Sequence, residues 1–124
     1  MTLSNKTVLI VEDGVTISKM LKFLFISKGC NVSSAKNGFD ALEILEKERP
    51  DVILLDLMMP EMDGFEFYER LKKDDKNKDV PVIVLSAFKE EKQKERLKSV
   101  GINDYVEKPF DTAYLVERVS KALA

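Results

Sequence analysis

The fold is constrained most by a series of short apolar segments that alternate with stretches of helical spacing. Four such runs occupy residues 7–11, 51–55, 81–86 and 104–107, and a weaker run occupies residues 31–35. Segments this short, and rich in Val, Ile and Leu, are typical of strands that are buried on both faces of a sheet. The pattern therefore predicts five strands.

Four segments between or after these runs place apolar residues on one stripe of a helix: 15–28, 38–48, 63–73 and 111–123. Each can cross over between parallel strands, and right-handed crossovers put helices on both faces of an open sheet. Rossmann-like and flavodoxin-like strand orders both fit, and five strands favour the flavodoxin-like order 2-1-3-4-5. We predict an α/β, doubly wound, five-stranded parallel sheet of the (βα)5 type, in one domain spanning 1–124.

The segment 89–99 differs from the other helical segments because Leu97 is its only apolar residue. Its residues favour a helix, but the helix can bury little surface, so we expect its attachment to the sheet to be weak. Two interpretations stay open at this stage. The segment is either a solvated surface helix or a mobile element whose position can be switched.

The composition restricts the chemistry that the chain can perform. It contains no histidine, which excludes zinc sites of the common kind and histidine bases. The formal net charge of −2 argues against a nucleic-acid surface, and no apolar run approaches the roughly 18 residues of a membrane span. A single cysteine, Cys30, and N-terminal residues without an export signal favour a cytoplasmic location. Carboxylates, hydroxyls, lysine and a hard metal ion are left for chemistry.

Polar side chains follow the predicted strands at the end where ligands bind in parallel sheets. Glu12 and Asp13 follow the first strand, Asp56 the third, Ser86 the fourth and Lys108 the fifth. Three carboxylates in one crevice would repel by about 4 kcal/mol per pair at about 4 Å and an effective dielectric near 20. A divalent cation relieves that repulsion, and an all-oxygen site favours Mg²⁺.

These residues suit phosphoryl transfer, which depends on positioning and charge neutralisation. A carboxylate can act as the nucleophile and carry the phosphoryl group as an acyl phosphate. Mg²⁺ and Lys108 can cover the phosphoryl oxygens, and the Ser86 hydroxyl can donate to another. A cis bond between Lys108 and Pro109 would direct the lysine back into the crevice.

Four segments resemble the signature segments of the CheY-like receiver domains of bacterial response regulators: VLIVED, DVILLDLMMPEMDG, VIVLSA and DYVEKPF. The resemblance covers essentially the whole chain. It implies a phosphorylation-activated signalling switch of a two-component system or phosphorelay. Such a protein is not an enzyme, apart from catalysing its own phosphorylation and dephosphorylation. Within this family, Asp56 resembles the residue that accepts the phosphoryl group.

The resemblance also implies a set of metal ligands. Asp13 and Asp56 would bind Mg²⁺ directly, together with the backbone carbonyl of Met58, and Glu12 would act through water. Glu12 stands where aspartate is frequent in the family. Its longer side chain should still serve through water.

A switch and its partners are implied in the same way. Lys108 resembles the phosphoryl-binding lysine, Ser86 the switch hydroxyl, and Tyr105 the aromatic residue that swings inward; an ordinary strand aromatic is the alternative for Tyr105. Phosphorylation would alter the surface formed by helix 4, strand 5 and helix 5, and so control a protein target or an output domain. The donor would be a histidine kinase or a histidine phosphotransfer protein. Neither nucleic acid nor a membrane is expected as a direct partner.

The loop after the third strand carries two further expectations. Gly64 and Pro60 resemble residues that form its backbone, since glycine tolerates dihedral angles that other residues avoid. Met58 and Phe88 each lie two residues after a site residue and are bulky and apolar. They should flank the path of an attacking water, so we predict slow self-dephosphorylation.

Two other classes of protein are alternatives for a chain with these site residues. A phosphatase of the haloacid dehalogenase type also combines an aspartate nucleophile, Mg²⁺ and a lysine, but here Leu57 and Met58 follow Asp56, with no second aspartate to act as acid or base. A binding module, either flavodoxin-like or a receiver that works without phosphate, is the other alternative. An acidic crevice is unsuited to a flavin phosphate.

Overall fold

The structure is a computed structural model that describes residues 3–57, 62–86, 91–102 and 104–123, with only the backbone described for residue 86 and residues 91–93. Strands and helices alternate along the chain. The strands are Thr7–Val11 (β1), Asn31–Ala35 (β2), Val52–Asp56 (β3), Val82–Ser86 (β4) and Tyr105–Glu107 (β5). The helices are Val15–Ser27 (α1), Gly38–Lys47 (α2), Gly64–Lys72 (α3), Glu91–Ser99 (α4) and Thr112–Ala122 (α5). No helix within the described ranges has the length and hydropathy needed to cross a bilayer.

The five strands form one sheet in the order β2-β1-β3-β4-β5, and every neighbouring pair is parallel. This order confirms the flavodoxin-like prediction. The carboxyl ends of β1, β3, β4 and β5 therefore lie side by side along one edge of the sheet. At that edge, Ser86 is the register partner of Glu107, the last residue of β5.

The strands separate two layers of hydrophobic core, because successive side chains point to opposite faces. Val8 and Ile10 of β1 pack with residues of α1 and α5, whereas Leu9 and Val11 pack with residues of α2, α3 and α4. All five residues of β3 are buried. Strands β1 and β3 are thus enclosed on both faces, and they form a rigid support for the side chains at their ends.

Polar residues begin three of the helices. Asn37, Asp63 and Asp111 cap α2, α3 and α5 by accepting a backbone N–H at 2.8, 2.9 and 2.8 Å. Such caps satisfy backbone donors that have no partner inside the helix. They fix where each crossover leaves the functional edge of the sheet.

Helix α4 makes three notable contacts through its described side chains. Leu97 is its buried apolar side chain. Two charged side chains add contacts to other elements: Arg96 lies over the Phe65 ring of α3 at 3.7 Å, and Lys94 pairs with Glu107 of β5 at 2.8 Å. Whether the helix changes position stays a prediction.

Gly64 is required for space. It begins α3 without a left-handed backbone, so the expected reason, a special dihedral angle, does not apply. A Cβ atom there would lie 2.6 Å from the Cα atom of Leu57 and 2.9 Å from the backbone oxygen of Asp56. The start of α3 therefore packs directly on the backbone that carries Asp56. Pro60, the other residue expected to shape this loop, lies outside the described residues.

Replacing Gly64 with alanine is expected to lower the free energy of unfolding by about 1–3 kcal/mol, because the new methyl group would press on backbone. Gly38→Ala is the matched control. Its Cβ would meet the buried Met62 side chain, with Sδ at 2.6 Å and Cβ at 3.2 Å, and a side chain shifts at lower cost than backbone. Urea denaturation followed by circular dichroism measures the free energy of unfolding of both variants. A larger loss in Gly38→Ala would contradict the interpretation.

Candidate functional site

The structure brings four of the predicted site residues to one edge of the sheet. Glu12 and Asp13 directly follow β1, Asp56 ends β3, and Lys108 directly follows β5. Since β1 and β3 are hydrogen-bonded neighbours, their carboxylates meet at the carboxyl end of the sheet. Lys108 reaches the same point from the far side of β4.

The three carboxylates form a compact cluster. One oxygen from each of Glu12, Asp13 and Asp56 can be chosen so that all lie within 4.8 Å of one another. Glu12 and Asp56 are each only 3% exposed, whereas Asp13 is exposed. The cluster is thus open to solvent on the Asp13 side, and a small ion or a phosphoryl group can enter there.

Lys108 supplies the positive charge that the cluster needs. Its Nζ atom lies 2.9 Å from Oε1 of Glu12 and 3.6 Å from Oδ1 of Asp56. The Lys108–Pro109 bond is cis, as expected. The ammonium group therefore binds Glu12 most closely and bridges toward Asp56.

The pKa of Glu12 reflects two opposing influences. Burial, the largest influence, raises it, but hydrogen bonding with Asp56, with Lys108 and with the backbone N–H of Gly14 outweighs burial and lowers the pKa below its ordinary value. The Gly14 N–H donates to Oε2 at 3.1 Å. Glu12 is therefore held in its charged form at neutral pH, with both oxygens accepting hydrogen bonds.

The donor atoms fit a hard divalent cation. Carboxylate oxygens are the ligands that Mg²⁺ prefers, and two oxygens bound to one Mg²⁺ lie no more than about 4.2 Å apart. The 4.8 Å span of the cluster therefore suits an ion that takes some carboxylates directly and another through water. Met58, whose carbonyl is the remaining predicted ligand, lies outside the described residues, as does Phe88.

The two predicted switch residues lie on adjacent strands beside the cluster. Ser86 ends β4, and its side chain lies outside the described atoms. Tyr105 begins β5 opposite Val84 and is partly exposed. It lines a groove of about 520 Å³ together with Phe110, Tyr114 and other residues of β5 and α5. The tyrosine thus faces a surface depression in the described conformation.

A surface on α1 that combines lysine side chains with exposed apolar side chains was not predicted. A groove of about 430 Å³ runs from Glu12 and Asp13 along α1, and three of its lining residues are lysines. Four of the six large hydrophobic residues that are exposed in the described part of the chain lie on α1: Val15, Met20, Phe23 and Ile26. The sequence did contain a signal, because Val15, Phe23 and Ile26 are apolar residues outside the stripe of this helix, which consists of Ile17, Met20, Leu21, Leu24 and Phe25.

Comparisons with known proteins agree with this geometry. The family model of the response regulator receiver domain matches residues 8–120. Sporulation initiation phosphotransferase F of Bacillus subtilis (strain 168) is 38% identical over 119 residues, which cover 96% of this chain and 94% of that protein.

Solved structures show the same fold. Chemotaxis protein CheY4 of Vibrio cholerae matches with a TM-score of 0.90 and 31% identity, and the match covers 97% of this chain and 100% of that one. The receiver domain of a sensor histidine kinase from Pseudomonas aeruginosa PAO1 matches with a TM-score of 0.88 and 28% identity, over 97% and 98% of the two chains. That structure has a magnesium ion coordinated in its active site cleft.

Removing the Lys108 charge should destabilise the chain and make it more responsive to Mg²⁺. In Lys108→Ala, buried carboxylates lose a charged hydrogen-bond donor, so we expect the free energy of unfolding at pH 7 to fall by about 1.5–3 kcal/mol. Mg²⁺ should restore part of the loss because it replaces the missing positive charge. Lys78→Ala, at an exposed ion pair, is the control and should change little. Denaturation with and without Mg²⁺ measures both effects; an unchanged stability of Lys108→Ala would contradict the role of Lys108.

Proposed function

Because the chain belongs to the family of response regulator receiver domains, which are phosphorylation-activated signalling switches, we propose that Asp56 is the residue that accepts the phosphoryl group. The observation that carries this proposal is the position of Lys108. Its ammonium group lies within 3.6 Å of Asp56 inside a cluster of carboxylates. Asp56 ends a strand that is buried throughout, so its carboxylate is held rigidly for attack.

The proposed reaction transfers a phosphoryl group from a phosphohistidine donor. A carboxylate oxygen of Asp56 forms a bond to phosphorus while the phosphorus–nitrogen bond breaks, and its electron pair returns to the imidazole of the donor. Bound Mg²⁺ would neutralise charge on the phosphoryl oxygens. Lys108 would move from Glu12 toward one phosphoryl oxygen, and the Ser86 hydroxyl would donate to another.

The proposed metal ligands are the carboxylates of Asp13 and Asp56 and the backbone carbonyl of Met58, with Glu12 acting through water. The compact cluster of oxygen donors supports this set. A magnesium ion in the cleft of the Pseudomonas aeruginosa receiver domain supports it further. The exposed position of Asp13 gives the ion a route from solvent.

The proposed output surface consists of α4, β5 and α5. Inward movement of Ser86 and Lys108 would leave space that Tyr105 can enter, and that movement would reshape the groove that Tyr105 lines. Few apolar contacts hold α4, so its position can change at low cost in free energy. A protein target, or an output domain joined to the receiver, would bind the altered surface.

The proposed donor is a histidine kinase or a histidine phosphotransfer protein. The exposed apolar residues of α1 support a protein partner on that side, since this helix leads directly to Asp13 and contains Lys19 and Lys22 but no acidic residue. We propose that the chain, as one receiver domain over 1–124, acts in the cytoplasm without direct contact to nucleic acid or membrane. Its catalytic activity would be limited to its own phosphorylation and dephosphorylation.

Asp56→Asn should abolish phosphorylation, because the amide cannot act as the nucleophile. The measurement is intact mass after incubation with acetyl phosphate and Mg²⁺. We expect one phosphate adduct on the unmodified protein, dependent on Mg²⁺, and none on the variant. Asp75→Asn, at a side chain that is 99% exposed, should be labelled normally. Stable stoichiometric labelling of Asp56→Asn would contradict the assignment.

The lifetime of the phosphorylated form should be long because Met58 and Phe88 would exclude water from the phosphoryl group. Met58→Asn and Phe88→Glu are each expected to speed the loss of phosphate after the donor is removed by desalting. Phe23→Glu, at an exposed residue of α1, is the control and should leave the decay unchanged. If neither site variant changed the decay rate, water exclusion by these side chains would not control the lifetime.

A further inference from the structure

We propose that the ion pair between Lys94 and Glu107 couples the position of α4 to the position of Lys108. The Nζ atom of Lys94 lies 2.8 Å from Oε1 of Glu107. One residue lies on α4, and the other is the last residue of β5. Lys94 would then be a positioning residue for phosphoryl transfer, acting through Glu107 and Lys108. This inference rests on the proposed role of Lys108.

Glu107 lies between the predicted switch hydroxyl of Ser86 and the predicted phosphoryl-binding lysine, Lys108. It is the register partner of Ser86 on β4, and the next residue along the chain is Lys108. A displacement of the Glu107 backbone would therefore be passed to Lys108 through one peptide bond. The Nζ atom of Lys108 is held at 2.9 Å by Glu12, so small changes at its backbone alter its reach toward Asp56.

Strand β5 is poorly restrained by the sheet itself. It has three residues, lies at the edge of the sheet and, among the described strands, pairs with β4 alone. The ladder of hydrogen bonds therefore holds the strand end from one side. The ammonium group of Lys94 tethers the same end from α4.

Helix α4, which carries Lys94, is held by few contacts of its described side chains. Among the described side chains, Leu97 provides the buried apolar contact, Arg96 lies over the ring of Phe65, and Lys94 reaches β5. The first two contacts hold α4 to the core and to α3. The third joins it to the strand that directly precedes Lys108, so a shift of α4 either breaks this pair or moves the strand end.

The pair is less exposed than an ion pair on the open surface of a helix. The Lys94 side chain is 23% exposed and the Glu107 side chain 43% exposed. For comparison, the Lys121–Glu117 pair on α5 is 66% and 58% exposed and joins residues within one helix. Partial burial reduces screening by salt. Lys121–Glu117 therefore offers a matched control pair that links no second element.

Hydrogen exchange of the full chain tests the coupling without any phosphodonor. We compare the unmodified protein with Lys94→Gln, Glu107→Gln and the double variant, and follow peptides from α4 and from residues 104–110. Each single variant should raise exchange at 104–110 by about 2- to 5-fold, the range for partly exposed ion pairs. The double variant should show no more exchange than either single variant. Lys94→Arg should restore the original rate, and Lys121→Gln should leave it unchanged.

The same variants test whether the Lys94–Glu107 ion pair affects the rate of phosphorylation. The rate of Mg²⁺-dependent labelling by acetyl phosphate should fall by about 2- to 5-fold in Lys94→Gln and recover in Lys94→Arg. The proposal is overturned if Lys94→Gln raises exchange in α4 alone, if the two single effects add in the double variant, or if the labelling rate is unchanged. If even the unmodified protein is not labelled, the proposed function fails, and the exchange comparison still decides whether α4 and β5 are coupled.

Discussion

The structure depends above all on the balance of charge at the carboxyl end of its sheet. Parallel strands β1 and β3 bring Glu12 and Asp56 together in a buried position, with Asp13 beside them. Without a counter-charge, two buried carboxylates at this separation would repel strongly and one would stay protonated. Lys108 supplies that charge from β5, across β4. The site is therefore held together by a cation that is part of the chain.

Most of the fold was predictable because its determinants are local and periodic. The first four residues of β3 and the core of β1 are apolar, and this pattern, with alternating helical segments, predicted a parallel sheet. The order 2-1-3-4-5, which the structure confirms, was inferred from the number of strands and from the resemblance to receiver domains. The strand ends then located the carboxylates, since every strand of a parallel sheet ends at the same edge. The burial of a single apolar side chain among those described in α4 followed from Leu97 being the only apolar residue of the helix.

Other features could not be predicted because they depend on three-dimensional distances. Glycine is required at position 64 because the backbone of Leu57 lies too close for a Cβ atom. The sequence alone had suggested a special backbone angle instead. The closest partner of Lys108 is Glu12, at 2.9 Å, and only the coordinates separate that contact from the longer one to Asp56. Met20 is 36% exposed, although its spacing puts it on the apolar face of α1 with Ile17 and Leu24.

The arrangement of the sheet also explains why a change at Asp56 would be felt at α4 and β5. Strands β1 and β3 have neighbours on both sides and core on both faces, so moving them would disturb dense packing. Strand β5 has three residues and one neighbour, and α4 contributes one buried apolar side chain among those described. Added charge in the crevice would therefore displace the residues that are restrained least. Lys108 lies between the densely packed strands β1 and β3 and the less restrained β5 and α4. This position supports a switch in which a change at Asp56 is transmitted to β5 and α4.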